Sequence, residues 1–152
     1  MRKEFRFQPS DFGEQGIRHE VNVFVFRKSP TGPEYLLLRP SAQPDSLWRP
    51  VVQAVGHHED LSLAARRAVR REIGLTEAFD LLLPAAGVEE DIGDLHLVGW
   101  PVGFCLRHRA RLNQANARAA QLGWMDFTQA LKFLGLSVHR QNLLQLHWQL
   151  AA

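Results

Sequence analysis

The stretch from Asp60 to Gly74, DLSLAARRAVRREIG, constrains the fold more than any other part of the chain. Leu61, Ala64, Ala65, Ala68, Val69 and Ile73 recur at helical spacing and so share one face. Asp60 is a side chain suited to accept from the free N–H groups at a helix start, and Gly74 supplies the left-handed residue that ends one. The spacing predicts a helix to about Ile73 with an apolar face that must be covered. The chain offers strands on both sides of it. IRHEVNVFVFR (17–27) alternates Val21, Val23 and Val25 against Asn22, Phe24 and Phe26, the period of a strand with both faces largely covered. SPTGP (29–33) reads as a turn, and EYLLLR (34–39) as the second strand of a hairpin. A loop with Pro40, Pro44 and Asp45 leads to a short strand around Trp48–Val55.

Beyond the helix, FDLLLP (79–84) and LHLVGWPVGFCLR (95–107) read as a strand pair separated by the acidic loop GVEEDIGD. The polar segment 108–121 reads as a loop or a short exposed helix, and two helices follow at about Asp126–Leu134 and Val138–Leu150. Strands on both sides of a central helix, with helices at the end, predict an α/β fold in which a mixed sheet is sandwiched between helices.

A chain of 152 residues is about one domain. Residues 1–16, punctuated by Pro9, Gly13 and Gly16, are expected to be a loosely structured leader, with 17–152 as the domain. The leader alternates charged and aromatic residues and lacks the apolar centre of a signal peptide. No apolar run approaches the roughly 20 residues of a membrane helix, which argues against a membrane partner. A lone thiol, Cys105, cannot staple the chain, and it fits a reducing, cytoplasmic setting. The net charge of +2 does not by itself argue for nucleic acid. Arg66, Arg67, Arg70 and Arg71 nevertheless crowd one helix, and arginine can hold phosphate without a metal.

From Trp48 to Leu75, WRPVVQAVGHHEDLSLAARRAVRREIGL resembles the Nudix box, G-x5-E-x7-R-E-U-x-E-E-x-G-U, where U is a bulky aliphatic. Laid on without gaps, the first Glu falls on Glu59, the Arg on Arg67, the last Glu on Glu72 and the closing pair on Gly74-Leu75. The opening Gly is replaced by Gln53, the Glu after the Arg by Ala68, and the first of the paired Glu by Arg71. The approach PDSLWRPVVQAVGHHED and the tail GWMDFTQAL…SVHRQNLLQL are similar to the bacterial Nudix branch that hydrolyses dihydroneopterin triphosphate.

The resemblance implies a Nudix fold and hydrolysis of a diphosphate bond in a nucleoside or pterin polyphosphate. Water attack there is assisted by Mg²⁺ or Mn²⁺ on carboxylate oxygens. Positions 68, 71 and 72 share a helix face and would carry those carboxylates. Here they read Ala, Arg and Glu, so two of the three are missing. The resemblance leaves Glu72 and Glu59 as the catalytic candidates and as metal-ligand candidates, and the acidic loop offers Glu90 as a substitute metal ligand. Arg39, Arg67, Arg71, Trp48 and His58 are candidates for substrate binding. Glu59 with Arg67 also reads as a brace tying the loop to the helix, and Trp48 and Trp124 read as core packing. The alternative is a catalytically inactive Nudix-fold domain that binds a phosphorylated ligand or a partner. The expected partner in either case is a nucleotide or pterin phosphate, with the chain a monomer or a homodimer. RNA binding through the arginines lacks the interleaved aromatic residues it would need.

Overall fold

The alternation in the first apolar run builds a strand whose two faces feed two separate cores. The computed structural model describes residues 6–12, 16–76, 78, 80–107, 112 and 117–151. Strand β1 (Ile17–Ser29) sends Val21, Val23 and Val25 to one side. There they meet Leu61, Ala64, Ala65, Ala68, Val69 and Ile73 of helix α1 (Leu61–Ile73). Phe24 and Phe26 point the other way, into a core shared with Ala130 of α2 (Phe127–Phe133) and Leu143 and Leu146 of α3 (Ser137–Ala151). Successive strand side chains alternate across the sheet, so one strand can anchor helices on both faces.

The hairpin partner is β2 (Gly32–Arg39), paired antiparallel with the second half of β1. Strand β3 (Val51–Ala54) pairs antiparallel with the first half, Glu20–Val23. Along its other edge β1 runs parallel to β6 (Leu95–Cys105) over ten residue pairs, from Ile17↔His96 to Phe26↔Cys105. Strand β4 (Asp80–Leu82) and strand β5 (Val88–Ile92) pair with β6, and β7 (Gln121–Met125) pairs with β2. The described residues thus form a mixed seven-stranded sheet between α1 and the pair α2 and α3. None of their helices is long and apolar enough to cross a membrane.

Three expectations are revised. Of the expected leader, the described residues 6–12 belong to the domain. Phe7 is fully buried, 5.6 Å from Trp100 edge to face and 4.9 Å from His19. Its backbone exchanges hydrogen bonds with the loop before α1, donating to Glu59 and accepting from His58. Burial of a phenyl ring and pairing of its amide outweigh the loop signals of the neighbouring Pro and Gly. The acidic loop is instead largely β5, in a hairpin with β6 that turns at Gly93 (φ 61°). Its charges fit because they alternate: Glu89 and Asp91 face His96, at 3.1 and 2.7 Å. Of the polar segment 108–121, residues 108–111 and 113–116 lie outside the described residues, and Gln121 opens β7. That strand escapes a reading of periodicity because QLGWM has no alternation, and its pairing with β2 defines it.

Candidate functional site

The loop-helix boundary is built as the sequence implies. The Asp60 side chain accepts from the Leu63 amide at 2.8 Å, and Gly74 closes α1 at φ 75° with its amide bonded to the Arg70 carbonyl. Glu59 and Arg67 form the brace. Arg67 Nε donates to Glu59 Oε2 and Nη2 to Oε1, both at 2.9 Å, a bidentate pairing. The same guanidinium donates to the Ala54 carbonyl at 2.8 Å and to Gln53 Oε1. Gln53, where the family has its glycine, is thus a further acceptor for this arginine. Glu59 also accepts from the Gly56 amide at 2.8 Å. The Arg67 hydrogen bond beside it holds the Glu59 carboxyl below the usual range, and Arg67 in turn is pushed up by Glu59. His58 sits in this loop at φ 62°, exposed, in a backbone region that favours glycine.

The helix face to which the resemblance assigns a metal reads Ala68, Arg71 and Glu72. Ala68 is fully buried in the α1 core and supplies no oxygen. Arg71 is exposed to solvent. Glu72 is half-buried, and its Oε1 lies 3.5 Å from Arg49 Nη2. Glu90 stands opposite Leu97, on the sheet face that carries Val138 of α3, whereas Glu59 is bound to α1. Among the described residues no three His, Cys, Asp or Glu side chains form a group able to hold a metal ion. Hard divalent cations want several carboxylates together, so the residues present do not fit one.

The remaining candidates are scattered. Arg39 donates to Gln121 Oε1 at 3.1 Å and to the Gln43 carbonyl at 2.8 Å, a link from β2 to β7 and the following loop. Trp48 packs on the α2–α3 core and bridges to Leu134. Trp124 packs at the edge of the α1 core, with the Arg27 guanidinium 4.1 Å from its ring centroid.

A cleft that none of these residues announces lies on the α3 side of the sheet. Its volume is about 360 Å³, and Arg18, Glu20, Arg49, Val52, Leu97 and His139 are among its walls. Beneath it runs a buried polar chain. Asn22 Nδ2 donates to Glu20 Oε1 at 3.1 Å, and Asn142 Nδ2 donates to Asn22 Oδ1 at 2.6 Å, linking sheet to helix. Gly99 permits that approach, since a Cβ there would lie 2.8 Å from both Asn22 Oδ1 and Asn142 Nδ2. Arg18 Nε stands 3.6 Å from Glu20 Oε2, and His139 Nε2 stands 3.9 Å from Oε1. His139 is only 3% exposed, yet neither ring nitrogen has a hydrogen-bond partner among the described residues. Two signals in the sequence point here: Glu20 and Asn22 interrupt an apolar strand, and His139 and Asn142 sit one turn apart on α3. Arg49 belongs both to this cleft and to the Glu72 pair, so it joins the cleft to the end of the box helix.

No protein-family model and no curated protein matches the chain. Solved structures do. The E. coli dihydroneopterin triphosphate pyrophosphohydrolase superposes with a TM-score of 0.73 at 19% identity, covering 89% of this chain and 99% of that one. The C. elegans Ap4A hydrolase in a binary complex gives 0.66 at 18% identity, over 88% and 98%. The Nudix domain of Shewanella oneidensis NrtR, complexed with ADP ribose, gives 0.67 at 16% identity, over 95% and 94%. With a box-like loop and helix packed on a mixed sheet, and these superpositions over nearly the whole chain, the protein has the Nudix fold.

Proposed function

We propose that this chain is a Nudix-fold domain that binds a phosphorylated small molecule, a nucleotide or pterin phosphate, and does not cleave it by metal-assisted hydrolysis. The observation that carries this reading is the Arg49–Glu72 pair. Glu72 is the one box carboxylate retained on the metal face, and a guanidinium already stands against it. The neighbouring positions on that face are a buried methyl and an exposed cation, Ala68 and Arg71. A second positive charge beside Glu72 opposes a divalent ion by direct Coulomb repulsion.

The cleft supports the binding half of the reading. At about 360 Å³ it falls in the size range of small-molecule pockets. Arg18 and Arg49 on its walls suit phosphate oxygens, which arginine engages through paired N–H donors. The ligands named for the superposing structures, Ap4A, dihydroneopterin triphosphate and ADP ribose, belong to the same chemical class.

Release of phosphate and pyrophosphate from a panel of nucleoside and pterin triphosphates, with Mg²⁺ and with Mn²⁺, tests the reading. The expected result is the same background for the wild type and for Glu72→Ala. Turnover by the wild type that disappears in Glu72→Ala would overturn it.

A further inference from the structure

The outer face of α1, opposite the residues it buries, holds positive charge that the fold leaves uncompensated. Leu63, Arg66, Arg67 and Arg70 recur at three- and four-residue spacing and, with Glu59 and Thr76, line a groove of about 420 Å³. Arg67 is already committed to Glu59, Gln53 and the Ala54 carbonyl, and the Glu59 oxygens are taken by Arg67 and the Gly56 amide. Arg66 and Arg70 are exposed, and among the described residues their side chains make no hydrogen bond or ion pair. With the exposed Arg71 beside them, this face carries three uncompensated charges, against a net +2 for the whole chain. The carbonyl end of the helix favours cations in its last turn, which accounts for Arg70 and Arg71. Arg66 lies a turn earlier, four residues from Arg70, where two like charges repel.

We propose that this groove docks an extended acidic segment of a partner protein, of the pattern apolar-x-acidic-x-acidic. Arg66 and Arg70 are about 6 Å apart along the helix axis, and alternate side chains of an extended chain are spaced by about 6.7 Å. Carboxylates two residues apart therefore meet the two guanidiniums, and arginine pairs with carboxylate through two parallel N–H donors. The next alternate side chain falls over Leu63, which is 52% exposed at the end of the same groove. A nucleic-acid backbone or a free polyphosphate would engage the arginines and leave that leucine uncovered. The basic residues of α1 are all arginine, which is more weakly hydrated than lysine and is the cation enriched at protein interfaces.

The test is fluorescence anisotropy of a labelled peptide, Leu-Ser-Glu-Ser-Glu between glycine-serine flanks, titrated with the full chain at physiological ionic strength. A second peptide with serine in place of the leucine, a single-stranded dT oligomer and inorganic triphosphate serve as competitors. The leucine peptide is expected to bind saturably, and the double variant Arg66→Glu, Arg70→Glu to weaken it about tenfold or more. Leu63→Ser should weaken the leucine peptide about three- to tenfold and leave the serine peptide unchanged. The substituted side chains face solvent, and circular dichroism checks that each variant folds. Absence of binding, or binding that the arginine reversals leave intact, would overturn the proposal. Competition by the dT oligomer or triphosphate as tight as the peptide's own binding, and indifferent to Leu63→Ser, would make the groove a polyanion site instead. None of these residues lines the cleft on the α3 side, so either failure leaves the reading of that cleft untouched.

Discussion

Arg67 ties three parts of the box together, since one guanidinium binds Glu59, Gln53 and the Ala54 carbonyl. Arg67→Ala should therefore cost on the order of 1–2 kcal/mol in urea denaturation, less than the sum of its bonds because the group is partly open to solvent. The same pair carries a pH dependence. Glu59 titrates below its ordinary range when folded, chiefly through the Arg67 hydrogen bond. Its contribution is present above the unfolded value of about 4.3 and is lost as pH falls through the folded value. Between about pH 5 and about pH 3, Glu59→Gln should lose less stability than the wild type does. A steeper loss in the variant would contradict this. At Ala68 the expectation is simple: Ala68→Glu places a longer, charged side chain in a filled core and should destabilise by about 1–3 kcal/mol. Placing the Glu of the Nudix pattern at this position is not a neutral change.

Among the elements, the segment before β1 and the loop before α1 depend on each other. Phe7 is buried between His19 and Trp100, and its backbone is bonded to His58 and Glu59. Phe7→Ala should cost about 3–5 kcal/mol and speed amide exchange in the 56–59 loop, read by hydrogen–deuterium exchange. Unchanged protection of that loop would show that Glu59 and Arg67 hold it unaided. Much of the element list was legible because it rests on local signals. The capped helix α1, the hairpin β1–β2 and the two closing helices declare themselves by period, cap and turn. Strands β5 and β7 did not, because pairing with β6 and β2 decides them rather than their own composition. The buried Phe7 was hidden for a similar reason, as its neighbours are polar or turn-forming and its partners lie far along the chain.

At the scale of the whole molecule, the sheet separates two kinds of site. Its α1 side carries the box-like loop and helix, with the Glu59–Arg67 brace, a buried Ala68 and an arginine-paired Glu72. Its α3 side carries the cleft, assembled from β1, β3, β6 and the start of α3. The box was readable because its residues are close in sequence. The cleft has only local marks in the sequence, polar residues within β1 and on α3, because Glu20 and His139 are brought together by the packing of α3 on the sheet. Arg49 spans the two, lining the cleft and standing 3.5 Å from Glu72.

The most direct test of this account is calorimetric titration of the wild-type chain with a pterin or guanine triphosphate, once in EDTA and once in Mg²⁺, with the ligand recovered and identified afterwards. The account predicts dissociation constants that agree within about a factor of two, roughly 0.4 kcal/mol, and an intact ligand in both cells. Binding that requires Mg²⁺, with pyrophosphate in the recovered sample, would contradict it.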